Sequence, residues 1–175
     1  MVRSFRTFSC LTTEQNTRPS RRCLKVAPRF SPPKDKSDLI KSLSGSGSPI
    51  NELRDVLFFA AVLGWRHQRR VPLQGRGETI RWEVFRNRTG TELITDMIAV
   101  ACAPDDPSIL APDRLDERVS VLEEYANGGL VLLEERIAKA GAVSLETLFI
   151  HMIQEALAET GDETPTDLTT EILNL

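Results

Sequence analysis

The stretch VLFFAAVLGW at 56–65 sets the strongest constraint on this 175-residue chain. It is far shorter than the roughly 20 residues needed to cross a bilayer. Yet it is apolar on every side, so a helix built from it cannot lie on a surface and must form the centre of a core. Ile50, Leu53, Val56, Leu57 and Ala60 extend one face backwards, which predicts a helix from Pro49 to about Leu63. Ser48 is expected to cap it, with Pro49 at the first helical position and Gly64 closing it.

The remaining pattern is also mostly helical. Leu39, Ile40 and Leu43 predict a short helix stopped by SGSGS at 44–48. A face of Leu93, Ile94, Met97, Ile98 and Ala101 ends before Pro104 and the proline-rich loop APDDPSILAPD. Asp113 is expected to cap a helix carrying Leu115, Val119, Leu122 and Tyr125; another should run from Leu130 to about Ala140. Ser144 is expected to cap the last, whose face is Leu145, Leu148, Phe149, Met152, Ile153 and Leu157. Only Thr79 to Phe85, where Ile80, Trp82 and Val84 alternate with Arg81 and Glu83, reads as a strand. The expected fold is mainly α: a compact bundle of about five to six helices with one short β-strand or hairpin near 79–85. Residues 1–32 are expected to be a disordered basic arm, 33–160 a single helical domain and 161–175 an acidic flexible tail.

A net charge of −3 conceals strong segregation. Residues 1–41 carry ten basic and three acidic groups, and 66–88 carry seven arginines against Glu78 and Glu83. Residues 89–175 carry four basic and eighteen acidic groups. Such a chain has one part suited to a polyanion and another that repels it. The first 23 residues are Arg- and Ser-rich and poor in acids, but they lack the apolar core of a secretory signal. Cys10, Cys23 and Cys102 form no disulfide framework, which favours a reducing compartment and a cytoplasmic protein. No membrane partner is expected.

The chemistry-bearing motifs are sparse. His67 and His151 have no Cys or His neighbour at metal-ligand spacing, and no phosphate loop, dinucleotide fingerprint or nucleophile elbow occurs. No catalytic residue, metal or cofactor is assigned. Asp105 and Asp106 read as solvated turn residues, and the pairs Glu123-Glu124 and Glu134-Glu135 as solvated helix acids.

Arg66, Arg69, Arg70, Arg76, Arg81, Arg86 and Arg88 carry more information. They fall within 23 residues, beside Trp65 and Trp82 and without a lysine. Arginine grips phosphate with two parallel hydrogen bonds and stacks on planar groups, which lysine does poorly. If the loop after Trp65 faces the Ile80–Val84 strand, these seven form one nucleic-acid-binding patch. The competing expectation is that they pair with the chain's own acids, in which case the basic N-terminal arm is the better nucleic-acid candidate.

In EEYANGGL at 123–130, Asn127, Gly128 and Gly129 are expected to adopt the left-handed conformation that ends one helix and starts the next. Tyr125 should pack against the second helix. Together with PKDKSDLIKSL, RDVLFFAAVLGWRHQRRVPL, IRWEVF and VLEEYANGGLVLLEE, this stretch resembles the bacterial DNA phosphorothioation-associated protein 4 family, also called Dnd system-associated protein 4. The resemblance runs from about residue 32 to 160 and carries no catalytic residues. It implies a place beside systems that exchange a non-bridging phosphate oxygen of DNA for sulfur, or beside the restriction and phage-defence systems linked to them. The expectation is therefore a non-enzymatic accessory protein that binds DNA, phosphorothioated or not, or a complex of Dnd proteins. A transcriptional regulator of the gene cluster and a metal-dependent nuclease drawing acids from the loop 104–116 are the alternatives.

Overall fold

The computed structural model describes residues 27–45 and 47–159. The expected arm before Ala27 and the acidic tail from Gly161 lie outside the described residues. The chain is mainly helical, as its periodicity predicts. In order it forms β1 (Arg29–Phe30), α1 (Ser37–Leu43), α2 (Leu53–Arg66), β2 (Ile80–Arg81), α3 (Trp82–Phe85), α4 (Thr91–Cys102), α5 (Leu115–Ala140) and α6 (Leu145–Glu159).

The apolar stretch forms α2, which lies against α5 along the main packing seam of the fold. Val56, Leu57, Ala60 and Ala61 are completely buried there. The expected helix boundaries are displaced at both ends. Ser48 donates its hydroxyl to the carbonyl of Leu43 and caps nothing, and α2 begins four residues after Pro49. Gly64 lies within the helix. Closure falls to Gln68, a left-handed residue at φ 52°, whose N–H bonds to Trp65 O while Arg69 N–H reaches back to Gly64 O. This pair of bonds is the Schellman ending, here made without glycine.

The largest departure from expectation concerns Asn127-Gly128-Gly129. A single 26-residue α5 passes straight through it, and neither glycine has a positive φ. Each glycine costs roughly 0.5–1 kcal/mol of helix stability relative to alanine, so the sequence reads locally as a break. Its purpose is clearance. A Cβ on Gly129 would lie 1.8 Å from Ala60 O, and one on Gly128 1.8 Å from Arg69 O. On the opposing helix, a Cβ on Gly64 would lie 2.1 Å from Tyr125 O. Gly64 and Gly129 let α2 and α5 cross backbone to backbone, and Gly128 admits the chain leaving α2. Asn127 secures that chain, since its Nδ2 donates to Val71 O at 3.3 Å and Pro72 O at 3.1 Å. Tyr125 points towards α4, where its hydroxyl lies 3.4 Å from Cys102 Sγ.

The strand expected over Thr79–Phe85 is also shorter than its alternation suggests. Only Ile80 and Arg81 are extended, and they pair antiparallel with Phe30 and Arg29 rather than within a local hairpin. The chain then turns into α3, so that Trp82 and Phe85, three apart, both face inward. Phe85 stacks on Phe30 at 4.2 Å between ring centroids. Phe30 belongs to the stretch that the sequence assigns to the arm, yet it is completely buried.

The outer helices follow their sequence signals unevenly. Gly90 at φ 88° precedes α4, whose inward residues are Thr91, Thr95, Ile98 and Ala99, while Leu93 and Met97 face out. Arg114 rather than Asp113 occupies the position before α5 and makes no side-chain cap. Arg118, almost fully buried, pairs with Asp96 at 2.9 Å and donates to Ile109 O and Ala111 O, locking the proline-rich loop between α4 and α5. Ser144 does cap α6, accepting Thr147 N–H at 3.2 Å. Phe149 and Met152 face inward from α6, whereas Ile153 and Leu157 are exposed.

Candidate nucleic-acid interface

Five of the seven arginines singled out by sequence have their ends held by acids of the same chain. Arg69 makes a two-pronged contact with Glu135 at 2.9 and 2.7 Å. Arg66 reaches Glu159 at 2.6 Å and thereby ties the end of α2 to α6. Arg70 meets Glu124 at 2.5 Å with its guanidinium 5.9 Å from the centre of the Tyr125 ring. Arg86 pairs with Glu92 at 3.1 Å and Arg88 with Asp55 at 2.6 Å. The hydrogen bonds from Arg69 hold Glu135 below the usual carboxylate range, and those from Arg66 do the same for Glu159. These five arginines fasten loops and helices together, the use that an acid-rich partner segment makes available.

Arg76 and Arg81 are different. Arg81 has no carboxylate within ion-pair distance among the described residues, and its cross-strand neighbour in β1 is Arg29, which also has none. Directly opposed residues of a β-ladder share a face with their Cβ atoms about 5 Å apart, and like charges placed there repel. Phe30 and Ile80 occupy the other face and turn towards the core. The ribbon therefore presents two adjacent guanidinium groups to solvent, an arrangement that a bridging anion would stabilise. Arg76 extends it, because its backbone bridges to Pro33 just beyond β1. Its side chain is mostly exposed and only distantly paired, 3.6 Å from Glu123.

A groove of about 610 Å³ runs between this ribbon and α5, with Arg29, Arg76 and Thr79 on one wall and Asp116, Ser120 and Glu123 on the other. Glu123 is 2% exposed and accepts the Ser31 N–H at 2.5 Å, which pins the chain after β1 to α5. Burial raises its pKa, against the opposing pull of the Ser31 bond and the Arg76 charge. The expectation that Glu123 is a solvated helix acid is thus wrong. Its spacing from Val119, Ala126 and Leu130 already puts it on the inward face of α5. Arg29 belongs to the basic arm, and its position in an apparently unstructured segment gives no sign of a partner strand about fifty residues away.

Of the adjacent loop acids, Asp106 is engaged. Asp106 accepts from Ser108 Oγ at 2.5 Å and from Arg114 at 2.6 Å, and these bonds, that from Ser108 first, lower its pKa. Among the described residues, no three His, Cys, Asp or Glu side chains come together in a way that could hold a metal ion. No helix among them is long and apolar enough to cross a membrane. Tyr125, Asn127, Gly128 and Gly129 lie along the α5 seam that supports the other side of the arginine-bearing loop, and their role there is packing.

Comparison with curated proteins and with solved structures gives no match. A family model does match, over residues 29–171, and its description is DNA sulphur modification system-associated protein 4. The matched region opens at Arg29, the first residue of the ribbon, and covers every helix described above. The chain belongs to the family of DNA sulphur modification system-associated protein 4.

Proposed function

We propose that this protein is a non-enzymatic accessory component of a bacterial DNA phosphorothioation system, or of the restriction and phage-defence machinery linked to it, and that it contacts the DNA phosphate backbone through Arg29, Arg76 and Arg81. The observation that carries this reading is the Arg29–Arg81 pair, two exposed like charges opposed on a ribbon with no acid in ion-pair contact with either among the described residues. The other five arginines of the sequence cluster already have carboxylate partners and contribute mainly to stability. The 28 residues preceding the ribbon carry six basic groups and one acid, so positive charge continues along the chain from β1. At the opposite end, residues 140–175 contain seven acids and neither Lys nor Arg. That distribution suits a complex in which one end of the chain meets DNA and the other meets a basic surface of a modification or restriction protein.

The test is fluorescence anisotropy of labelled duplex DNA with the purified chain at a series of salt concentrations. Each phosphate neutralised contributes about −0.9 to the slope of log affinity against log salt, so the three arginines alone should give roughly −2 to −3. Absence of binding, or binding indifferent to salt, would sink the reading.

A further inference from the structure

The groove between the ribbon and α5 has walls of opposite charge, and a contact with phosphate alone uses only one of them. Its volume of about 610 Å³ falls within the roughly 300–1,000 Å³ of sites that hold one small ligand. On the ribbon side Arg29 has no ion pair among the described residues, and Arg76 is only distantly paired. Opposite them α5 contributes three carboxylates, of which two are committed. Glu117 holds Arg114 at 2.6 Å, and Glu123 accepts the Ser31 N–H from within the core. Asp116 is exposed and in no ion pair among the described residues, so it is the acid of that wall with its oxygens available. Ser120, one turn further along the same face, adds a hydroxyl.

A ligand that satisfies both walls carries an anion at one end and hydrogen-bond donors at the other, as a nucleotide does. A carboxylate is matched best by two parallel N–H groups. Of the four DNA bases only guanine presents two adjacent donors, N1–H and the 2-amino group, on its Watson–Crick edge. Cytosine occupies that edge in a duplex, so guanine offers it only when unpaired. Proteins that take a base out of the stack read it by hydrogen bonds to this edge. We propose that the groove receives one unpaired guanine nucleotide of DNA, its phosphate on Arg29 and Arg76 and its Watson–Crick edge on Asp116, with the Ser120 hydroxyl donating to the neighbouring base oxygen. Pro28, half-buried in the same groove, gives the ring an apolar surface. This inference rests on the DNA contact proposed above and adds a base preference to it.

The test is fluorescence anisotropy on three labelled duplexes of one sequence: fully paired, carrying a single bulged guanine, and carrying in its place a bulged inosine, which lacks only the 2-amino group. The bulged-guanine duplex should bind about tenfold tighter than the inosine one, the effect of a bidentate base contact, and tighter still than the paired one. Asp116→Ala should bring the guanine-to-inosine ratio close to one with thermal unfolding little changed. Its altered charge affects all three duplexes alike and cancels in that ratio. A ratio near one in the parent, or a tenfold ratio that survives Asp116→Ala, overturns the proposal. Binding of paired duplex with the salt slope given above but without guanine preference sinks this inference alone; failure to bind any of the three sinks the DNA contact with it.

Discussion

Replacing Gly129 with alanine separates two accounts of the glycine pair by the sign of the effect. A glycine in an unobstructed helix interior is stabilised by about 0.5–1 kcal/mol on gaining a methyl group. Here the new Cβ would lie 1.8 Å from Ala60 O, about 1.6 Å short of ordinary contact at roughly 3.4 Å. The obstacle is backbone in the middle of α2, so relief requires moving α2 away from α5 along the principal seam of the core. Overpacking of a tight core costs typically 1–3 kcal/mol and occasionally more. With backbone rather than a side-chain tip in the way, a net loss of about 2–3 kcal/mol is expected after the helix-propensity gain. Urea unfolding followed by far-ultraviolet circular dichroism, with linear extrapolation, reads this as a lowered midpoint at an unchanged slope. Gly141→Ala is the contrast: nothing lies within 4 Å of the new Cβ, so any loss there comes from its backbone conformation, φ 63° and ψ −116°, and not from a clash. A Gly129→Ala chain as stable as the parent would refute the crossing argument.

Two further predictions test the surroundings. Asn127→Ala removes both hydrogen bonds that hold Val71 and Pro72 to α5 and should cost about 1–3 kcal/mol; amide exchange at Val71, whose N–H bonds to Glu124 O, should accelerate with it. For Glu123 the folded-state pKa is raised by burial, so the folded chain binds more protons than the unfolded one above the ordinary carboxylate value, and this group's contribution to stability falls as pH rises through that window. Glu123→Gln keeps an oxygen for Ser31 N–H and lacks the charge. The stability of the parent relative to this variant should therefore decline from about pH 4.5 upward; urea midpoints that diverge the other way would contradict the assignment.

The helical class, α1, the buried character of α2 and the Ser144 cap of α6 were legible because they depend on neighbours close in sequence. Hydrophobic period and capping chemistry are local signals. Gly128 and Gly129 misled for the opposite reason: their clients, Arg69 O and Ala60 O, lie about sixty residues away, and nothing local separates a glycine that ends a helix from one that makes room for another. IRWEVF alternates like a strand, but burial of Trp82 and Phe85 around Phe30 imposes a helical turn on it. In the outward stripe of α4, Leu93 and Met97 satisfied the same periodicity as core residues, and periodicity cannot show which of two apolar faces meets the core. The arginine cluster was legible as chemistry and not as geometry. Five of its members found carboxylates, four of them far away in sequence and one, Glu92 for Arg86, nearby, and Arg29, the neighbour that gives Arg81 its significance, arrives through strand pairing.

The most direct measurement compares two variants for DNA affinity against salt. In one, Arg29 and Arg81 are both replaced by glutamine; in the other, Arg66, Arg69 and Arg70 are. Loss of two phosphate contacts should make the salt slope of the ribbon variant shallower by about 2, while the ion-paired triple variant keeps the parental slope. The reverse result, a parental slope for the ribbon variant and a shallower one for the triple variant, would place the contact on the loop after α2 and contradict the account.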